Sequence, residues 1–144
     1  MRIYIYIVSG SKLNTTHLRQ VFETLKESFN FSKTNTDKKL DQIIYDSCVQ
    51  RFKYTLEISW KLMKKYLQVV RGKTDIELSV NNIFRLMEGY DFIKSHLAWR
   101  SYYEARNNTS HEYDLGKSQE IIKILPKFIE DVEILLEKLD MELE

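Results

Sequence analysis

Residues 106–113 read Arg-Asn-Asn-Thr-Ser-His-Glu-Tyr, and this stretch gathers more reactive chemistry than any other part of the chain. Arg106 is a permanent cation with a planar fork of donors that suits phosphate or carboxylate, and it cannot serve as a base. His111 carries an imidazole whose ordinary pKa, about 6.5, lies near working pH. A fixed cation beside a proton carrier is what phosphate chemistry requires. Tyr113 adds a phenol two residues further on. The spacing of Arg106 and His111 alone is equally that of a surface arginine followed by a helix cap, so their value depends on what positions them.

A second block, residues 50–67, reads Gln-Arg-Phe-Lys-Tyr-Thr-Leu-Glu-Ile-Ser-Trp-Lys-Leu-Met-Lys-Lys-Tyr-Leu. Together the two blocks carry a resemblance. Arg51, Phe52, Tyr54, Glu57, Trp60 and Lys61 fall on an R-F-x-Y-T-x-E-x-x-W-K helix. Arg106, Asn107, Ser110, His111 and Tyr113 fall on an R-x4-H-x-Y signature. The chain thus resembles the HEPN superfamily, specifically the small all-helical nucleotidyltransferase substrate-binding proteins, over about residues 40 to 140.

The resemblance implies a homodimer in which two signatures face each other across a cleft, with two Arg106 and two His111 around one substrate. It implies a separate chain as partner, a minimal nucleotidyltransferase. Two functions follow from it. In the first, the chain is the toxin half of a toxin–antitoxin pair and a metal-independent endoribonuclease. His111 is then general acid or base on the 2′-hydroxyl or the leaving oxygen, and Arg106 stabilises the charge that develops on phosphorus. Asn107 and Ser110 position the substrate, and Arg51, Tyr54 and Lys61 help to bind RNA. In the second, the chain is a non-catalytic subunit binding a nucleotide or other substrate for a two-component nucleotidyltransferase. Tyr113 is the expected acceptor of a nucleotidyl group. Neither function calls for a metal or cofactor.

Composition fits one globular domain. The chain has 144 residues, of which 43% are hydrophobic and 30% charged. Its 22 basic and 21 acidic residues leave a net charge of +1, so any attraction for nucleic acid must be local. The single cysteine, Cys48, excludes an intramolecular disulfide and a multi-cysteine zinc site, and it is expected to be a buried thiol.

At the N-terminus, Ile-Tyr-Ile-Tyr-Ile-Val over residues 3–8 is too short for a membrane span or for a signal peptide with its cleavage site. A cytoplasmic protein without a membrane partner is the expectation. The alternation favours a strand ended by Ser9-Gly10-Ser11. Strand followed by Gly-Ser also begins minimal nucleotidyltransferases, but their metal-holding carboxylates stand one residue apart. Glu23 and Glu27 are separated by three residues, so the chain is not the transferase itself. Residues 1–12 are read as an edge strand, an irregular arm, or sequence upstream of the true start. Residues 13–144 are read as one helical domain.

Within it, Leu18, Val21, Phe22, Leu25 and Phe29 mark a first helix with Asn14 or Thr15 as cap, broken over residues 33–37. Leu40, Ile44, Cys48, Phe52, Leu56, Met63 and Leu67 mark a long second helix ended by Arg71-Gly72. A second stripe on it, Arg51, Tyr54, Ile58, Lys61 and Lys65, faces either solvent or an anionic partner. Ser79 caps a third helix stopped near Gly89, and a fourth runs from Asp91 to Arg106 with Trp99, Tyr103 and Arg106 on one face.

Were that fourth helix to continue, Arg106 and His111 would lie about 140 degrees apart around its axis. Asn107 to Ser110 are poor helix formers, and Thr109 with Glu112 fits a capping box, so a break is expected there. A last helix starts near Asp114 and carries Ile121, Leu125, Phe128, Val132, Leu135 and Leu139 in steps of four and three, with a kink expected at Pro126. These elements specify an all-α, antiparallel, up-and-down bundle of four or five helices, expected to be homodimeric.

Overall fold

The computed structural model describes residues 13–108 and 115–143. Five helices account for them: α1 (Thr16–Thr34), α2 (Asp41–Val69), α3 (Val80–Gly89), α4 (His96–Asn108) and α5 (Leu115–Leu143). Single 3₁₀ turns at Lys38–Leu40 and Asp75–Glu77 lie between α1 and α2 and between α2 and α3. The described residues contain no strand. The N-terminal run expected as a strand lies outside them.

The 3.6-residue periodicity becomes an antiparallel bundle with α2 and α5 as its two long members. α1 packs along α2 and also touches α5, while α3 and α4 pack on each other and against α2. Every apolar position of the α2 seam from Ile44 to Leu67 is buried, and so is every seam position of α5 from Ile121 to Leu139. α5 stays helical through Pro126, whose side chain is exposed. Trp99 is core, with 1% of its surface exposed.

Where α2, α4 and α5 meet, four rings interlock edge to face. Phe52 and Phe128 lie 4.8 Å apart between centroids, Tyr102 and Phe128 5.0 Å, Trp99 and Tyr102 5.7 Å, and Trp99 and Phe128 5.8 Å. Edge-to-face pairs add to the energy of burying large apolar surfaces. The cluster also holds a polar handle: the Tyr102 hydroxyl donates to Asp131 on α5, and both residues are buried.

Two local features set where α4 begins. The periodicity predicts a start at Asp91, but α4 starts at His96. Asp91 takes a left-handed conformation with φ of 66°, and the Phe92 and Asp91 amides donate to the carbonyls of Met87 and Glu88 at 2.9 and 3.0 Å. That bonding pair is the Schellman ending, which usually employs glycine at the left-handed position. Here the glycine lies two residues earlier, and an aspartate occupies the turn, so the stop was not legible. Ser95 then caps α4 by accepting from the Ala98 amide, and Glu88 accepts from both the amide and Nδ1 of His96. α3 and α4 are thereby stapled at a fixed angle.

The ends of the bundle are tied by Thr15, just before α1, and Arg19 within it, which both bond Asp140 in the last turn of α5. Of the two expected caps, Thr15 holds the N-cap position without a side-chain capping bond, and Asn14 accepts from the Thr16 amide just before it. Cys48 is fully buried, and burial pushes its thiol up to about 11 despite opposing effects of Ser32 and Arg51. No helix among the described residues is long and apolar enough to cross a membrane.

Burial, followed by the hydrogen bond and the charge of Asp131, holds the Tyr102 phenol well above its ordinary range. The unfolded chain therefore loses this proton first. Stability from the group is complete below the ordinary phenol pKa of about 10 and falls as pH rises toward the folded value. Tyr102→Phe removes a donor from a buried carboxylate and is expected to cost about 1–3 kcal/mol near neutral pH, a fall of roughly 3 to 10 °C in Tm. Thermal melts followed by circular dichroism between about pH 8 and 11 should show a shallower alkaline decline in the variant than in the parent.

Candidate functional site

Arg106 sits in the last turn of α4, two residues before the end of the described part of that helix. Opposite it, α2 presents Lys53, Glu57 and Lys61 at intervals of four, one helical turn each, so the three share a flank. The aromatic cluster holds α4 antiparallel to α2, and the two flanks meet. Glu57 Oε2 lies 3.2 Å from Arg106 Nη2, and Glu57 Oε1 lies 3.2 Å from Lys61 Nζ. One turn further along both helices, Trp60 meets Tyr103 edge on at 6.5 Å, with the Lys61 ammonium 6.0 Å from the Trp60 ring. Arg106 Nη1 also donates to Asn107 Oδ1 at 3.3 Å.

Charge is unevenly distributed here. Burial first, and the Arg106 guanidinium second, hold the Lys53 ammonium below its ordinary pKa, which places Lys53 within the field of Arg106. Lys61 and Arg106 thus both pair with one carboxylate, and Lys53 lies one turn away on the same flank of α2, on a chain whose overall charge is only +1. Such a local excess can attract an anion without any whole-molecule field. The Trp60 indole Nε1 is buried and has no hydrogen-bond partner among the described residues. A buried indole donor normally finds an acceptor.

The expected site residues are distributed as follows. Asn107 bonds its neighbour Arg106, and Arg106 and Lys61 are brought together at Glu57. Arg51 and Tyr54 are not. Six residues put Arg51 about 120 degrees around α2 from Glu57. Its Nε donates to Ser47 Oγ at 3.3 Å, which in turn bonds Ser28 of α1. With Tyr54, Ile58, His17 and Val21 it lines a shallow groove between α1 and α2. The stripe read from sequence is real, but α1 borders one edge of it while Lys61 turns to the other. Ser110, His111 and Tyr113 lie outside the described residues.

Lys53 was missed in the sequence, and Glu57 was noted only as part of the helix pattern. The Lys-x3-Glu-x3-Lys ladder was the available signal. What makes it a site is the approach of Arg106 from another helix, which periodicity does not reveal.

The family described as nucleotidyltransferase substrate binding protein like matches residues 13–141. The chain belongs to this family. Family membership thus extends over α1 and nearly all of α5, and residues 1–12 lie outside it. Among family relatives, a Haemophilus influenzae protein described as a probable ribonuclease HepT is 29% identical over 135 residues, covering 89% of this chain and 92% of its own. A solved Haemophilus influenzae structure, described as revealing the fold of a substrate binding domain of a nucleotidyltransferase, superposes with a TM-score of 0.78 at 25% identity. It covers 88% of this chain and 99% of the other. A Thermus thermophilus structure shares the fold with a TM-score of 0.71 at 24% identity, covering 85% and 98%.

The Arg106–Glu57 pair is about a third exposed on each side. Pairs in that setting contribute about 0–1 kcal/mol, so Arg106→Ala should leave Tm within about 3 °C of the parent. Affinity for a short oligonucleotide, used as a polyanion probe, should fall about tenfold, with a salt slope shallower by about one. Circular dichroism melts check the first, and fluorescence anisotropy across a salt series checks the affinity and the slope.

Proposed function

We propose that the protein is a metal-independent endoribonuclease and the toxin half of a two-gene pair, its partner being a minimal nucleotidyltransferase. The observation that carries this reading is the position of Arg106. It is aimed by Glu57 and flanked by Lys53 and Lys61, at the residue where the R-x4-H-x-Y signature begins. The Haemophilus influenzae relative, described as a probable ribonuclease, supports the reaction class.

In the proposed reaction, His111 takes the proton from a 2′-hydroxyl, and that oxygen attacks the adjacent phosphorus. The P–O5′ bond breaks, the departing oxygen receives a proton from an imidazolium, and a cyclic phosphate and a 5′-hydroxyl remain. Arg106 supports the added negative charge on the phosphoryl oxygens as it develops. Asn107 and Ser110 position the phosphodiester. A two-fold dimer that brings two signatures together supplies the second imidazole, so one His111 serves as base and the other as acid. The protein acts in the cytoplasm in this reading.

His111→Ala is expected to lower cleavage of single-stranded RNA about a hundredfold or more while changing RNA affinity little, because an imidazole adds little ground-state attraction. Cleavage should persist in excess EDTA. A quenched fluorescent RNA substrate measures all three. A parent protein that cleaves nothing between about pH 5 and 8 would remove the nuclease and leave the binding subunit in its place.

That second reading is favoured by the solved Haemophilus influenzae structure described as a nucleotidyltransferase substrate binding domain. In it the same cations hold a nucleotide or RNA end, and Tyr113 accepts a nucleotidyl group. Modification there would add phosphate and bulk close in sequence to Arg106, which also blocks a nuclease site. Incubation with the partner transferase, ATP and magnesium should yield a Tyr113 peptide heavier by one nucleotidyl group in mass spectrometry. An unmodified Tyr113 peptide retires the idea.

A further inference from the structure

Glu57 is out of place on an anion-binding surface. A site selected only to attract phosphate would omit a carboxylate among Lys53, Lys61 and Arg106, because it cancels part of their field. Nor does stability explain it, since a pair a third exposed to water contributes little. Its geometry is specific nonetheless. The two carboxylate oxygens are divided between helices, Oε1 to Lys61 on α2 itself and Oε2 to Arg106 on α4.

An arginine in the last turn of a helix has a long stem with many rotamers, and fixing it costs entropy. A charge-assisted bond from a neighbouring helix fixes the plane and direction of the guanidinium. Lys53, one turn before Glu57, is like-charged and feels the field of Arg106, so the carboxylate also offsets that repulsion. The Trp60–Tyr103 contact one turn further along both helices keeps the two backbones in register beneath the bond.

We propose that Glu57 is a positioning residue of the Arg106 site, holding the guanidinium in its working direction at the expense of ground-state affinity for the anion. The inference rests on the nuclease reading for its rate consequences and on anion binding alone for its affinity consequences. Attraction given up in the ground state, in exchange for correct placement of charge in the transition state, is the pattern expected of a catalytic site rather than of a simple phosphate receptor.

Two substitutions separate charge from reach. Glu57→Gln keeps the length and one acceptor oxygen but removes the charge, whereas Glu57→Asp keeps the charge and withdraws it by one methylene. With a short fluorescent single-stranded RNA, Glu57→Gln should lower kcat about tenfold or more and tighten Kd about threefold. Glu57→Asp should lower kcat comparably with Kd unchanged. A merely structural role would lower kcat only in step with the circular dichroism melt and would not tighten binding. The proposal is overturned if kcat at saturating RNA stays within about twofold of the parent in both variants, or if Glu57→Gln leaves affinity unchanged.

Should the parent protein cleave no RNA, the nuclease reading fails by itself and Glu57 is read from binding. Tightening by Glu57→Gln that disappears in the Arg106→Ala background then supports the coupling. Tightening of the same size in both backgrounds, or none in either, overturns it.

Discussion

The distance between α2 and α4 governs this molecule, and it is set by aromatic rings that the two helices share with α5. Phe52, Trp99, Tyr102 and Phe128 fill that junction edge to face, and the Tyr102 hydroxyl ends on buried Asp131. Rings of this size leave little latitude in how the helices approach. Because α4 is held antiparallel to α2, residues 57 and 106 face each other, and so do residues 60 and 103. The polar site is therefore a consequence of the apolar core one or two turns away.

The staple at the start of α4 completes that control. Phe84 of α3 packs on Trp99 at 5.9 Å, and Glu88 receives the first amide of α4. A short helix of thirteen residues is thus fixed at its beginning, in its middle and, through Glu57, near its end. At the end that carries Arg106, the Glu57 ion pair is added to the packing of Tyr103 and Ala105, and that exposed polar contact is where a ligand can compete.

Much of this was legible in the sequence because helical burial repeats every three or four residues, and the seams of α2 and α5 are long enough to leave little doubt about period. The start of α4 was not legible. The residue that turns the chain is Asp91, not the glycine two positions before it, and a left-handed aspartate has no distinctive pattern. At the candidate site, Arg106, Asn107 and Lys61 are expected from residue type and motif, and the structure brings Arg106 and Lys61 to one carboxylate. The separation of Arg51 and Tyr54 from them was hidden, since periodicity gives the face of a residue but not the helix that comes to lie beside that face. Lys53 was overlooked for the same reason: on α2 alone it is an ordinary surface lysine.

Cys48 has a use beyond packing. It is the chain's single thiol, it lies fully buried on α2 under the influence of Ser32 from α1, and its acidity is suppressed to about 11. At neutral pH almost none of it is thiolate, and in the folded core reagents cannot reach it. Its rate of alkylation therefore times any opening that exposes this turn of α2, making the native sequence its own reporter of such opening. A cysteine introduced anywhere on the surface would in turn be the one fast-reacting thiol, so a label can be placed on the Arg106 end of α4 without first removing the natural residue.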